Sequence, residues 1–292
     1  WFRRNLGLAM GLIMASWGVG PALATPLIAF SIDMVGWKMS FIIIGFISTS
    51  LMLLMISIFR NRPGDMSLTA YGTLDDDPPL SDKLPPVKLL REFNGHMKKT
   101  AAYYNMSSIH FLGCVGHAVI LVWIIPMATE GGLSLVNASF IVTVMSVVSI
   151  ATRLTTPVLC ERFGVRSVMS IFYVLQGAPV LILFMPDLTG VFFIFAVSFG
   201  IGYGGETGGF PILNRKYFGH APMGGAHGFQ MLGAGIGMAF GGWISGYIYD
   251  VTGSYQLAFW NGILWNIVNI SLIVFLLSKG NIQKYNRLAD ES

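Results

Sequence analysis

Eight apolar runs, each long enough to cross a bilayer, fill this 292-residue chain and leave few folds open to it. They cover about 7–30, 39–59, 101–127, 136–159, 166–186, 189–213, 225–249 and 256–278. A hydrocarbon core ~30 Å thick takes about 20 residues of α-helix. In lipid each helix satisfies its own backbone groups, so a helix bundle is the expected fold. The composition agrees: 54% of residues are hydrophobic and 11% are charged, where a soluble domain carries about a quarter charged residues. The expectation is an all-α, multi-pass integral membrane protein.

The charges set an orientation. With residue 1 in the cytoplasm and one crossing per run, 16 of the 18 Lys and Arg residues fall on the cytoplasmic side. Lys38 falls outside, and Arg153 lies within a helix. The outer turns carry Asp33, Glu130, Asp187 and Asp250. Positively charged loops stay inside, so this asymmetry supports both the count of eight and a cytoplasmic linker and C-terminus in a cell membrane. The net charge of +4 follows from topology and implies no nucleic-acid partner. Cys114 and Cys160 lie at different depths, and no structural disulfide is expected between them.

The chain also repeats itself. A shift of 217 lays Ala9, Gly11, Met14, Gly18, Gly20, Ala22, Asp33, Gly36 and Gly45 on Ala226, Gly228, Met231, Gly235, Gly237, Ala239, Asp250, Gly253 and Gly262. Both copies run from an aromatic, basic lead-in through a Gly-dotted helix and an Asp-x-x-Gly turn into a second helix. The first and seventh spans are therefore equivalent, and the repeating unit is six helices. Same-direction repeats of this kind mark secondary transporters. The expected organisation has four parts. Residues 1–59 are the last two helices of one bundle, 60–99 a polar cytoplasmic linker, 100–280 a complete six-helix bundle, and 281–292 a cytoplasmic tail. On this arithmetic four helices precede residue 1, and the full-length protein has twelve. Within the linker, Val87–Lys99 has one apolar face (Leu89, Leu90, Phe93, Met97) and is expected on the membrane surface.

Two six-helix halves joined by a cytoplasmic linker resemble the major facilitator superfamily, with helices 5–12 present in this chain. Pro157-Val-Leu-Cys-Glu161-Arg162-Phe-Gly164-Val-Arg166 is similar to the superfamily's cytoplasmic G-x-x-x-D-R-x-G-x-R loop. Pro157 replaces the leading Gly and Glu161 the Asp, so that loop's latch between helices is altered. Trp1-Phe2-Arg3-Arg4 with Gly7-Leu8-Ala9-Met10-Gly11 resembles the lead-in to helix 5 of the monocarboxylate porter and oxalate:formate antiporter branch. Gly36-Trp37, Tyr217-Phe218-Gly219 and Asp250-Val-Thr-Gly253-Ser-Tyr255 fit the same branch. Two departures bear on function. The antiporters carry a Lys in the helix matching the seventh span, and this span has no Lys or Arg. The porters often carry an Asp one turn before the helix 8 Arg, where this chain has Ser149.

The charges inside the spans are the candidate site. Arg153 lies about eight residues from the membrane face, or ~12 Å deep at 1.5 Å per residue. Charge at that depth needs a partner or a water-filled cavity, and a guanidinium holds a carboxylate through two parallel hydrogen bonds. The resemblance implies substrate binding by this Arg; the competing reading is an Arg that snorkels or pairs within the bundle. Glu206, in a Gly-rich segment ending at Pro211, lies at nearly the same depth. It is a candidate proton carrier or gate and a candidate partner for Arg153, or else part of a structural ion pair. His117 and Gln230 are candidate cavity-lining, substrate-binding residues, with His227, Asn214 and Tyr203 as lesser candidates. His110, Cys114 and His117 share a helix face, but two His and a Cys without a carboxylate make a poor metal site, so no metal or cofactor is expected. Gly18, Gly20, Gly235 and Gly237 are expected to pack helices.

Together these features predict no enzyme. They predict a secondary transporter for a small organic anion, a monocarboxylate held by one Arg, working by alternating access as a proton-coupled carrier or an exchanger. It would act as a monomer in the bilayer when full length. The alternatives are an efflux carrier for amphipathic compounds and a non-transporting sensor on the same fold.

Overall fold

The computed structural model describes residues 1–4, 6–77, 87–185, 189–218 and 224–276. The expected tail, 281–292, and the turn residue Asp187 lie outside these. Among the described residues the regular structure is helical apart from one isolated bridge. The helices are α1 (Leu6–Ile58), α2 (Val87–Met97), α3 (Ala101–Glu130), α4 (Leu135–Phe163), α5 (Val165–Gly177), α6 (Thr189–Gly205), α7 (Phe210–Phe218), α8 (Gly224–Thr252) and α9 (Tyr255–Leu276). Among the described residues, seven helical stretches are long and apolar enough to cross a membrane.

The first of those stretches holds two spans. α1 runs 53 residues but is broken at Gly36, whose φ of 77° and ψ of 161° are not helical. Only glycine reaches that region without strain. Gly253, its mate in the repeat, stands between α8 and α9 with φ of 67°. The Asp-x-x-Gly turn of each copy thus breaks the chain at the same register, and eight spans result.

Two other spans are composite. α5 continues as a tighter 3₁₀ stretch, Ala178–Phe184, starting beside Pro179. α6 ends at Gly205 and α7 begins at Phe210, so the sixth span is interrupted at Glu206–Gly209.

α3 packs on α8 and α9, α4 packs on α6 and on α1, and α5 packs on α6 and α9. The buried side chains fall into two apolar clusters. One gathers Met106, Ile109, Met169, Phe172, Leu213 and Phe218 toward the linker end. The other gathers Val119, Ile124, Ile141, Phe195, Phe199 and Phe259 toward the far end. Between them, in α3, lie His110, Cys114 and His117, all buried. A polar layer therefore sits at mid-span, between two apolar plugs.

The linker's amphipathic helix docks on protein. Phe93 and Met97 of α2 are buried in the linker-end cluster, and the Phe93 ring meets Phe218 edge-on at 6.4 Å. The preceding stretch folds back on the lead-in to α1. Tyr71 N donates to Trp1 O (2.8 Å) and Arg3 N donates to Tyr71 O (3.0 Å). Gly72, with φ of 82°, leaves no room for a Cβ beside Arg4.

Candidate transport site in the polar layer

α4 brings four polar side chains to one face. Ser146, Ser149, Arg153 and Thr156 follow steps of three, four and three residues, the helical repeat, and all four are buried. The sixth span meets that face with a row of glycines. A Cβ at Gly200 would stand 2.7 Å from Met145 O, one at Gly204 would overlap Thr152, and one at Gly208 would stand 2.6 Å from Thr156 Cγ2. A second row of glycines faces α5: Gly202 against Gln176, Gly205 against Phe172 and Gly209 against Met169. Small residues let helices approach closely in lipid. With two faces given to glycine, Tyr203, Glu206 and Thr207 fall on the side turned to Arg153 and α3.

Arg153 is 2% exposed. Its Nη1 donates to Thr207 Oγ1 at 3.0 Å, and its guanidinium carbon lies 5.0 Å from the centre of the Tyr203 ring. Its Nε has no hydrogen-bond partner. Among the described residues no carboxylate comes within ion-pair distance of it. A buried guanidinium without a counter-ion is a costly arrangement.

Glu206 takes a different partner from the one its depth implied. Its Oε1 lies 2.7 Å from His117 Nδ1, and both side chains are almost fully buried. The His117 ring packs edge-on against Tyr203, 5.4 Å between centres. Tyr203 thus stands between Arg153 and the His117–Glu206 pair. The carboxylate that α3 lacked arrives from the break after α6, yet no group of three or more His, Cys, Asp and Glu suited to a metal occurs among the described residues. The second Glu206 oxygen, the Tyr173 hydroxyl and both amide atoms of Asn269 are buried without hydrogen-bond partners.

Gln230 lies elsewhere. It and Asn214 exchange two hydrogen bonds of 2.8 and 3.0 Å, and its remaining polar contact is a long one to Met106 Sδ. Both ends of this amide are thereby committed within the bundle. His110 stacks on Phe210, 4.2 Å between ring centres. The glycines expected to pack helices divide. A Cβ on Gly18 would lie 3.0 Å from Ser149 Oγ, and Gly237 abuts Phe111, whereas Gly20 and Gly235 meet nothing within 4 Å. In the cytoplasmic-type loop, Gly164 needs its φ of 84° to separate α4 from α5. Glu161, Arg162 and Arg166 are exposed and form none of the ion pairs among the described residues. Arg162 lies over its neighbour Phe163.

Sequence reading missed Thr207, because a Thr beside a membrane Glu gives no signal by itself. It also missed Tyr173. The signal available there was Gly113 on α3, where a Cβ would stand 2.5 Å from the Tyr173 hydroxyl.

Comparison with known proteins agrees with this architecture. The chain is 22% identical over 239 residues to an uncharacterised MFS-type transporter, YhjX, of Escherichia coli (strain K12), covering 81% of this chain and 56% of that protein. It is 22% identical to monocarboxylate transporter 12 of Mus musculus over 278 residues, 89% of this chain and 57% of the relative. The Xenopus laevis protein of that name is 23% identical over 282 residues, 89% of this chain and 59% of the relative. The chain thus spans less than three fifths of the length of these relatives. The family model described as Major Facilitator Superfamily matches residues 1–94 and 106–289. With nearly its whole length matched, this chain belongs to the Major Facilitator Superfamily.

Proposed function

We propose that this chain holds the substrate site of a secondary transporter for a small monocarboxylate. The observation that carries this is Arg153: buried, permanently charged and without a carboxylate partner among the described residues. An anionic substrate supplies the missing charge, and a planar carboxylate matches the two-pronged donor. Thr207 and the Tyr203 ring hold the guanidinium in place before substrate arrives. α8 brings no second cation, which favours a single carboxylate over a dianion. The relatives named monocarboxylate transporter 12 support the same class.

Proton coupling is assigned to the His117–Glu206 pair. With one proton the pair is neutral overall, and with two it carries a single positive charge. An anion on nearby Arg153 favours the second proton, so substrate and proton bind together and cross together. Release of either weakens the hold on the other. The site does no covalent chemistry. Alternating access comes from rocking of two six-helix halves about this midplane layer. The basic loops, the linker and both ends face the cytoplasm of a cell membrane, and the full-length protein works as a monomer.

Counterflow in proteoliposomes of the full-length protein tests this. Labelled acetate, butyrate or benzoate should accumulate against the same unlabelled anion, and Arg153→Lys should abolish it. Accumulation that survives Arg153→Lys, or that appears only with amphipathic cations, would favour an efflux carrier. Binding without counterflow would indicate a sensor.

A further inference from the structure

The sixth span is two half-helices joined by Glu206–Gly209. Glu206 N still bonds Gly202 O at 3.2 Å, and Leu213 N resumes the ladder to Gly209 O at 2.9 Å. Between them, no backbone carbonyl among the described residues accepts from the N–H of Thr207, Gly208 or Gly209. Gly208 and Gly209 are buried. These three residues lead into α7 and lie beside the positive end of its dipole. Pro211 sits in the first turn of α7, where its missing N–H costs nothing and its fixed φ holds the turn.

A second, independent feature points to a ligand at this break. Arg153, 2% exposed, reaches it through the Nη1 bond to Thr207, yet leaves Nε without a partner. The Glu206 carboxylate, next to these N–H groups in sequence, is turned to His117. A fixed cation and a row of open donors therefore converge on one short segment. Both call for an acceptor carrying negative charge.

We propose that the broken sixth span is the second half of the anion site. One carboxylate oxygen sits on Arg153, and the other accepts from the N–H groups of Thr207–Gly209. This rests on Arg153 being the substrate anchor. It accounts for a carboxylate site with no second basic side chain: the backbone of the break serves where a Lys on α8 would otherwise stand.

Amide-to-ester replacement tests this directly, with glycolic acid incorporated at position 208 or 209 of the full-length protein. Each ester removes one N–H and leaves every side chain in place. Thermal stabilisation by acetate, butyrate and benzoate reads the apparent dissociation constant, with Arg153→Lys in parallel. The expected result is a loss of about tenfold or more in affinity for at least one ester. Wild-type affinity in both esters, with binding lost in Arg153→Lys, would overturn the backbone site and leave the anchor standing. Binding unchanged in Arg153→Lys, or no stabilisation of the wild type, would overturn both.

Should the esters fail to fold, the native protein still decides. Labelling Thr carbonyls with ¹³C and Gly nitrogens with ¹⁵N selects Thr–Gly pairs, of which this chain has three: Thr189–Gly190, Thr207–Gly208 and Thr252–Gly253. Saturating benzoate should move the Gly208 amide proton downfield and leave the other two in place. An unmoved Gly208 signal would contradict the proposal.

Discussion

Arg153 and Glu206 stand out in the sequence because a charge inside an apolar run has no other place to hide. Their depths follow from counting residues to the nearest loop. Their partners do not, because counting gives depth and says nothing about which way each helix is turned. The two charges lie at nearly the same depth, yet Glu206 meets His117 on α3 and Arg153 meets Thr207 and Tyr203. What turns α6 that way is the pair of glycine rows, legible only once the neighbours are known. Gln230 shows the opposite failure. A buried amide in a transporter helix looks like a substrate ligand, but its two hydrogen bonds to Asn214 close it off. Replacing it leaves Asn214 buried and unpaired, which costs about 1–3 kcal/mol. Gln230→Ala should therefore lower the melting temperature of the full-length protein while leaving carboxylate affinity within about twofold of the wild type. A large loss of affinity with unchanged stability would place Gln230 in the site after all.

At the scale of elements, the Asp-x-x-Gly turns were legible because a left-handed or extended positive-φ position demands glycine. Gly36 and Gly253 both occupy such positions. Six glycines and Pro211 in one span are enough to imply a loosened helix, and the sixth span is broken there. That its glycines also form two packing ridges is not legible in the sequence. A methyl group at Gly204 would overlap Thr152 and press on Ser149, the residues flanking Arg153 on α4. Overpacking of this kind costs about 1–3 kcal/mol. Gly204→Ala should lower stability by about that amount and weaken carboxylate binding too, because α4 and α6 can relieve the clash only by moving apart at the site. Stability and binding both at wild-type levels would mean that this contact does not set the spacing. The linker helix α2 illustrates a limit of periodicity: its apolar face was evident, but lipid and protein offer that face the same reward. The buried Phe93 and Met97 show that protein covers it here.

For the whole molecule, the repeat, the charge asymmetry and the span lengths point by themselves to one architecture, because the bilayer leaves so few solutions. The match of a family model across nearly the whole chain establishes that architecture's family. Substrate and coupling belong to the site. If the second proton on His117–Glu206 is what accompanies the anion, uptake into proteoliposomes should rise when the outside is acidified. Glu206→Gln, which holds the carboxyl position neutral at every pH, should remove that rise while leaving exchange of unlabelled for labelled anion. A mutant whose uptake still responds to acid would move the coupling proton elsewhere.

The most direct measurement is ligand-induced stabilisation of the full-length protein in detergent, wild type beside Arg153→Lys, against mono- and dicarboxylates. A ligand present at 100 times its dissociation constant adds about 2.7 kcal/mol to stability. If Arg153 is the carboxylate anchor, at least one monocarboxylate should stabilise the wild type by that order, dicarboxylates should do less, and Arg153→Lys should respond to neither. Equal stabilisation of wild type and mutant would show that the anion binds without Arg153, and no stabilisation of the wild type would show that the substrate is not one of these organic anions; either result would leave Arg153 as a residue that holds the bundle together.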